Sequence, residues 1–192
     1  MNLQIILGST RPGRVSDRVA KWVELEAKNL SETKVEIIDL ANYKLPYFDE
    51  PISPQYNPER KPNENATKLL YKFAEADAFI IVTPEYNRSY SAVLKNAIDY
   101  VDFQFKQKPI GLVAHGSTGG SQAVSHLRGV IPGLFSITTP SAVFLIGRAG
   151  EVIDENGNLQ EDLRQNPYGL QESLKNTLNE VKWYSDALVA AR

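Results

Sequence analysis

The residues best equipped for chemistry stand in three short stretches, each directly after an apolar run. The first is Gly8-Ser9-Thr10-Arg11-Pro12-Gly13-Arg14-Val15-Ser16, which ends where a helical pattern begins at about Asp17. A loop between a strand and a helix aims unpaired backbone N–H groups above the strand. Hydroxyls and two guanidinium groups join them here, which is the donor set a phosphate needs. A blander reading makes Ser16 a helix N-cap, Gly13 a turn residue and the arginines solvated; the concentration of donors favours phosphate. The stretch lacks both the Gly-Lys-[Ser/Thr] of a nucleoside triphosphate loop and the G-x-G-x-x-G of a dinucleotide fold. A loop rich in Ser and Arg suits a terminal monophosphate.

The second stretch is Thr83-Pro84-Glu85-Tyr86-Asn87-Arg88-Ser89-Tyr90, leading into a helix near Ser91. Tyr86 offers a planar face and Asn87 an amide, which suit a flat ligand with a polar edge; the alternative is a tight turn with Tyr86 packed as core. The third is His115-Gly116-Ser117-Thr118-Gly119-Gly120-Ser121. Glycines there permit close backbone approach and small hydroxyl residues leave room for a flat ring, although Gly-rich turns are common for steric reasons alone.

Other chemistries find little support. The chain has no cysteine, which excludes disulfides, thiolate metal sites and a cysteine nucleophile, so redox work requires a bound cofactor. His115 and His126, the only histidines, fall at a strand end and inside a helix, and no metal site is expected. Ser117 near His115 lacks the G-x-S-x-G context of a hydrolase. Asp154-Glu155-Asn156-Gly157-Asn158 has its glycine too early for a calcium loop, and Gln165 stands where the bidentate Glu would be, so a surface turn is expected. Lys95 and Asp99 form an i,i+4 helix pair that also suits dimer contacts.

These stretches need elements to hold them. Nearly continuous apolar runs predict buried parallel strands at Leu3–Leu7, Val35–Asp39, Ala78–Thr83, Pro109–His115 and Ser141–Ile146. Helical stripes lie between them: Val19, Trp22, Val23, Ala27 and Leu30; Leu69, Leu70, Phe73 and Ala74; Val93, Leu94, Ala97, Ile98 and Val101. A less periodic helix is expected over Ser121–Val130, and a last one through Leu170, Leu174, Leu178, Val181 and Leu188. The strictly alternating order predicts an α/β three-layer sandwich with right-handed crossovers. In the strand order 2-1-3-4-5, strands one and three are neighbours at the topological switch point, where ligands bind. Leu40–Asn63 carries five prolines and is expected to be neither helix nor central strand. With Tyr43, Tyr47, Phe48 and Tyr56 it reads as a partner-facing or site-rimming loop, the alternative being a plain surface excursion.

The 192 residues suit one domain, 1–192, and 42% hydrophobic with 23% charged residues is a globular composition. A formal net charge of -2 gives no basic surface of the kind nucleic acid or an anionic membrane would favour. The opening Met1–Leu7 reads as a strand, not a signal peptide. No apolar run approaches the about 20 residues of a membrane span, and the expected location is cytoplasmic.

Taken together, G-S-x-R after strand one, P-E-Y-N after strand three with L-K-N-A-I-D-Y on the following helix, and G-S-x-G-G after strand four resemble the NADPH-dependent FMN reductase family. The resemblance spans roughly Ile5 to Gly120. It implies a flavodoxin-like fold binding FMN without a covalent link, with NADPH or NADH as co-substrate. It implies that Ser9, Arg11 and Ser16 hold the FMN phosphate with Arg14 as helper. Pro84, Glu85, Tyr86 and Asn87 would then contact the isoalloxazine or ribityl chain, and Ser117, Thr118 and Gly119 would line the ring's other edge. No side chain is assigned as a catalytic acid or base. It further implies a homodimer or homotetramer and a small-molecule electron acceptor: free flavin, a quinone or an azo compound. Ser91-Ala92 departs from the Pro-Gly step of many relatives, and Arg88 and Tyr90 occupy a loop that is usually more neutral.

The chief alternative is a flavodoxin-like electron carrier without substrate turnover. Carriers usually have a strongly acidic docking surface and a T-x-T-x-N-T phosphate loop, and this chain has neither. A third reading is a regulatory module that binds FMN without turnover.

Overall fold

The computed structural model describes residues 1–191. Five strands form one parallel sheet: β1 (Asn2–Leu7), β2 (Lys34–Asp39), β3 (Ala78–Pro84), β4 (Pro109–Gly116) and β5 (Ile137–Ile146). Their order is β2-β1-β3-β4-β5. The helices are α1 (Ser16–Ala27), α2 (Glu64–Ala74), α3 (Ala92–Asp99), α4 (Ser121–Val130), the short α5 (Ala149–Val152) and α6 (Glu161–Arg164), and the long α7 (Leu170–Ala191). This is the flavodoxin-like α/β sandwich expected from the sequence.

The position of each strand follows from its composition. β3 reads Ala-Phe-Ile-Ile-Val-Thr-Pro and is buried at every residue, as a central strand covered on both faces must be. β2, Lys-Val-Glu-Ile-Ile-Asp, is mostly half-buried and takes an edge. Successive side chains point to opposite faces, so Phe79 and Ile81 enter the core under α2, α3 and α4, with Phe73 and Phe105. Ile80 and Val82 enter the core under α1 and α7, with Trp22, Val23 and Leu178. Burying each such side chain contributes about 1.5–3 kcal/mol.

Several boundaries differ from the sequence reading. β5 begins at Ile137 rather than Ser141. Ile110 faces Thr138 and Leu112 faces Ala142, so β5 bulges around Pro140. An edge strand is where a proline that cannot donate to the ladder is tolerated. α1 stops at Ala27, although Leu30 still packs against the α1–α7 core. α5 and α6 carry too few residues to show a periodicity. The expected surface turn forms around Asp154, whose Oδ1 accepts from the Asn156 and Asn158 amides at 2.9 and 2.8 Å.

Leu40–Asn63 holds only two 3-10 turns, Leu40–Asn42 and Pro54–Tyr56, yet it is tied down. The buried Arg60 guanidinium pairs with Glu50 at 2.7 Å and Asp102 at 3.1 Å. Phe48 packs edge-on against Tyr100. Tyr47 and Tyr56 remain exposed, at 85% and 79%. Among the described residues, no helix is long and apolar enough to cross a membrane.

Candidate functional site

The three stretches singled out in the sequence meet at the C-terminal ends of β1, β3 and β4. A cavity of about 270 Å³ is lined by Arg11–Ser16, by Pro84–Tyr86 and by His115 with Gly116. The parallel order produces this: β1 and β3 are adjacent, β3 and β4 are adjacent, and all three loops leave from the same edge. A larger cavity of about 560 Å³ lies beyond Thr10, between the Leu40–Tyr47 segment and the first turn of α3.

At the first loop, α1 begins with Ser16 as a helical residue, not as the N-cap. Val15 stands at the cap and supplies no side-chain acceptor; the Arg18 amide is bonded by the Val15 carbonyl and by Asp17 Oδ1, and no cap side chain serves the amides of Ser16 and Asp17. An uncapped helix start with its N–H groups facing a cavity attracts an anion. The Ser16 hydroxyl lies instead 2.8 Å from His115 Nε2, in a buried contact between α1 and β4. Ser9 is also buried, with its hydroxyl 3.2 Å from the Tyr86 hydroxyl.

The two loop arginines have different roles. Arg14 bonds Asp39 at the end of β2 through both guanidinium nitrogens, one at 2.9 Å, and also donates to the Ser9 carbonyl. Its charge is matched and its position braces the loop. Arg11 is exposed and has no ion pair among the described residues. Unlike Arg14, it has no carboxylate of the protein against it among the described residues.

The second loop is a tight turn. Tyr86 and Ser89 exchange backbone bonds of 2.8 and 3.0 Å, and Asn87 and Arg88 have φ of 48° and 66°. Those are the dihedrals of the mirror-image two-residue turn, which Asn accepts readily and Arg does not. Tyr86 is half-buried at the cavity wall, while Asn87 and Arg88 project from the turn and are exposed. Ser91 Oγ accepts from the Leu94 amide at 3.3 Å and donates to the Gly8 carbonyl, so it both caps α3 and ties its start to the first loop.

Glu85 reaches the third loop. Its carboxylate accepts from Thr118 Oγ1 at 2.7 Å and from the Gln122 and Ala123 amides at 2.9 and 3.4 Å. It caps α4, whose own cap residue Gly120 has no side chain to offer. These bonds, the one from Thr118 foremost, hold the carboxyl below the usual glutamate range. Ser117 and Thr118 are exposed beside the cavity, and Gly119 is buried at φ 75° against Phe144 and Ile146.

Two contributors escaped the sequence reading. The sequence offers His115 only for a metal site or a hydrolase pair with Ser117, but it lines the cavity and is 7% exposed. Burial pushes its imidazole down to about 4, so it is neutral at pH 7. Ser91 stood out only as a departure at a helix entry. The available signals were a lone histidine between a buried strand and a Gly-rich turn, and a hydroxyl residue before an apolar helix.

A family model described as NADPH-dependent FMN reductase matches residues 1–151. The chain is 35% identical over 126 residues to an NAD(P)H-dependent FMN reductase of Schizosaccharomyces pombe, covering 66% of this chain and 63% of that relative's length. It is 34% identical over 143 residues to an FMN-dependent NADPH-azoreductase of Staphylococcus saprophyticus, covering 72% and 73% of the two chains. The structure is similar to that of the flavoenzyme NAD(P)H:(acceptor) oxidoreductase FerB from Paracoccus denitrificans, with a TM-score of 0.69 at 21% identity over 98% of this chain and 97% of that one.

Proposed function

The chain belongs to the NADPH-dependent FMN reductase family, and from that premise we propose that it holds FMN in the crevice between the loops after β1, β3 and β4 and acts as an NAD(P)H-dependent oxidoreductase. The observation that carries this reading is the convergence of a helix start without a cap side chain, an unpaired Arg11 and the buried Ser16 hydroxyl on one wall of a cavity whose other wall holds Tyr86. The donor set fits the phosphate end of FMN, and the half-buried aromatic ring and small loop residues fit its flat end. The whole 1–192 chain is taken as one FMN-binding unit.

In this reading Arg11, Ser16 and the first amides of α1 hold the phosphate. Ser9 supports Tyr86 from beneath, and Arg14 fixes the loop by its pair with Asp39. Pro84, Tyr86 and Asn87 border the ring on one side, and Ser117, Thr118 and Gly119 border it on the other. Glu85 keeps those two borders at a fixed separation through Thr118 and α4. Bound there, FMN supplies hydride acceptance from NAD(P)H and electron delivery to an acceptor. No side chain has to serve as nucleophile or general base; the protein orients the partners and presents N–H groups to developing negative charge.

The acceptor class is a small flat molecule: free flavin, a quinone or an azo compound. The small residues of the third loop support it by leaving space above the cavity. A homodimer or homotetramer is supported by the exposed aromatic residues Tyr47, Tyr56, Phe103 and Phe135. The deciding experiment is stopped-flow mixing of FMN-loaded protein with NADPH and with NADH, followed by mixing with flavin, quinone and azo acceptors. Rapid bleaching and reoxidation with ping-pong kinetics is the expected result. Failure of both nicotinamides to reduce the loaded protein, with ready electron exchange with a protein reductase, replaces the enzyme reading by the carrier.

A further inference from the structure

We propose that His115 is a positioning residue for the phosphate subsite: by donating from Nε2 to Ser16 Oγ it frees the Ser16 hydroxyl hydrogen for an anion, and so makes the site selective for phosphorylated flavin over riboflavin. The inference rests on the FMN reading above.

The contact spans 99 residues of sequence, from the last turns of β4 to the first residue of α1, at 2.8 Å. Both residues are almost fully buried, at 7% and 1% exposure, and both line the same cavity. A neutral imidazole has one N–H and one lone pair, and a hydroxyl has one hydrogen and two lone pairs. Two arrangements therefore satisfy the pair. In one, Ser16 donates to His115 Nε2, and only oxygen lone pairs remain for the cavity. In the other, His115 Nε2–H donates to Ser16, and the hydroxyl hydrogen turns outward.

A phosphate offers acceptors and, as the dianion, nothing to donate. The first arrangement sets lone pairs against it; the second gives it a donor already polarised by the histidine behind. The bound anion therefore selects the Nε2–H tautomer, and the tautomer in turn orients Ser16. The imidazole stays neutral because burial disfavours its charged form. The second arrangement thus needs no proton uptake at neutral pH. Riboflavin, without the phosphate, draws nothing from this pair. The Arg14–Asp39 pair and the Glu85–α4 contact are complete without His115. The effect should therefore stay local to Ser16.

Two measurements test this. The first uses wild-type protein with 15N-labelled histidine, followed by imidazole NMR before and after saturation with FMN. Nε2 is expected to carry the proton in the FMN complex, coupled to Cδ2–H and Cε1–H as a pyrrole-type nitrogen. A pyridine-type Nε2 in that complex overturns the proposal. The second compares dissociation constants for FMN and riboflavin, by quenching of flavin fluorescence, in wild type, His115→Phe, His115→Gln and Ser16→Ala. His115→Phe removes the donor behind Ser16 and is expected to weaken FMN about fivefold, the size of one lost neutral hydrogen bond, and to leave riboflavin within about twofold. His115→Gln, which keeps a donor, recovers most of the loss. The Ser16→Ala/His115→Phe double variant binds FMN no worse than Ser16→Ala alone. Equal losses for both flavins in His115→Phe, or no rescue by Gln, overturn the proposal and assign His115 to packing. If wild type binds neither flavin, the functional reading itself is wrong, a result separable from the others.

Discussion

The turn that leaves β1 and the turn that leaves β4 both carry the chain from a buried strand into a helix through glycine and hydroxyl residues. α1 starts after Val15 with only its own Asp17 carboxylate on a first-turn amide, that of Arg18, whereas α4 starts after Gly120 with the Glu85 carboxylate from another loop on the amides of Gln122 and Ala123. Each helix start carries a partial positive charge of the same size. One is neutralised from inside the protein and the other is left open beside an unpaired Arg11. The backbone differs in the same sense. Gly120, at φ 79°, lies hard against Ala114 and His115, while Gly13, at φ 69°, has open space around its Cα. One turn is packed against the sheet and the other stands open. On the proposed reading, which of two similar loops can bind an anion depends on whether a carboxylate from elsewhere has already arrived.

Substitutions can break or sharpen this contrast. The largest effect is expected for Gly120→Val. A Cβ there would stand 2.9 Å from the His115 amide nitrogen, and a β-branched residue in the left-handed region adds strain. Together these cost about 3 kcal/mol or more in chemical denaturation. A loss as small as that of a surface substitution would show that the third loop is not jammed against the sheet.

Arg11→Ala comes next and touches binding rather than stability. Loss of a charge-assisted hydrogen bond costs about 1.5–3 kcal/mol. FMN affinity measured by fluorescence titration should fall tenfold or more by that account, with riboflavin little changed. An equal fall for both flavins would assign Arg11 to folding and remove the contrast with Arg14.

Glu85→Ala removes the α4 cap and is expected to lower stability by about 1 kcal/mol. The pH dependence has a definite sign. The hydrogen bond from Thr118 and the α4 amides lower the folded-state pKa of Glu85. Its contribution is therefore fully present above the ordinary glutamate pKa and is lost as pH falls through the lowered folded value. Urea midpoints of wild type and Glu85→Ala should converge towards the acid end of that window. A constant gap across it would mean that the carboxylate charge is not what caps the helix.

An effect as small as that of Glu85→Ala is expected for Gly13→Ala. The left-handed φ costs about 1 kcal/mol, and nothing lies within 4 Å of the added methyl group. A Gly13 variant as damaging as Gly120→Val would erase the distinction between an open and a closed loop.

Much of this was legible in the chain. The unbroken apolar run Ala78–Thr83 demands a strand buried on both faces. The stripes through Val19, Trp22 and Val23 and through Leu174, Leu178 and Val181 demand helices laid on a sheet. An alternating βα order then leaves few topologies, and the observed β2-β1-β3-β4-β5 order is the expected one. The three donor-rich loops were also visible, and the structure brings parts of all three to one cavity. Boundaries were less legible. The bulge at Pro140 and the early start of β5 depend on an edge position, which no local pattern encodes.

The partners of the polar groups around the cavity were decided by the tertiary structure. Arg11 and Arg14 are equivalent in the sequence, and they differ only because Asp39 ends the neighbouring strand β2 within reach of one of them. Glu85 belongs to the second loop by position and serves the third by contact, and Ser16 pairs with a histidine at the end of another strand. The physical reason is redundancy. Hydrophobic periodicity is written many times over in each element, so it survives any single ambiguity and is readable locally. A hydrogen bond contributes about 1 kcal/mol and depends on one partner brought from a distant segment. Its choice exists only once the chain has folded.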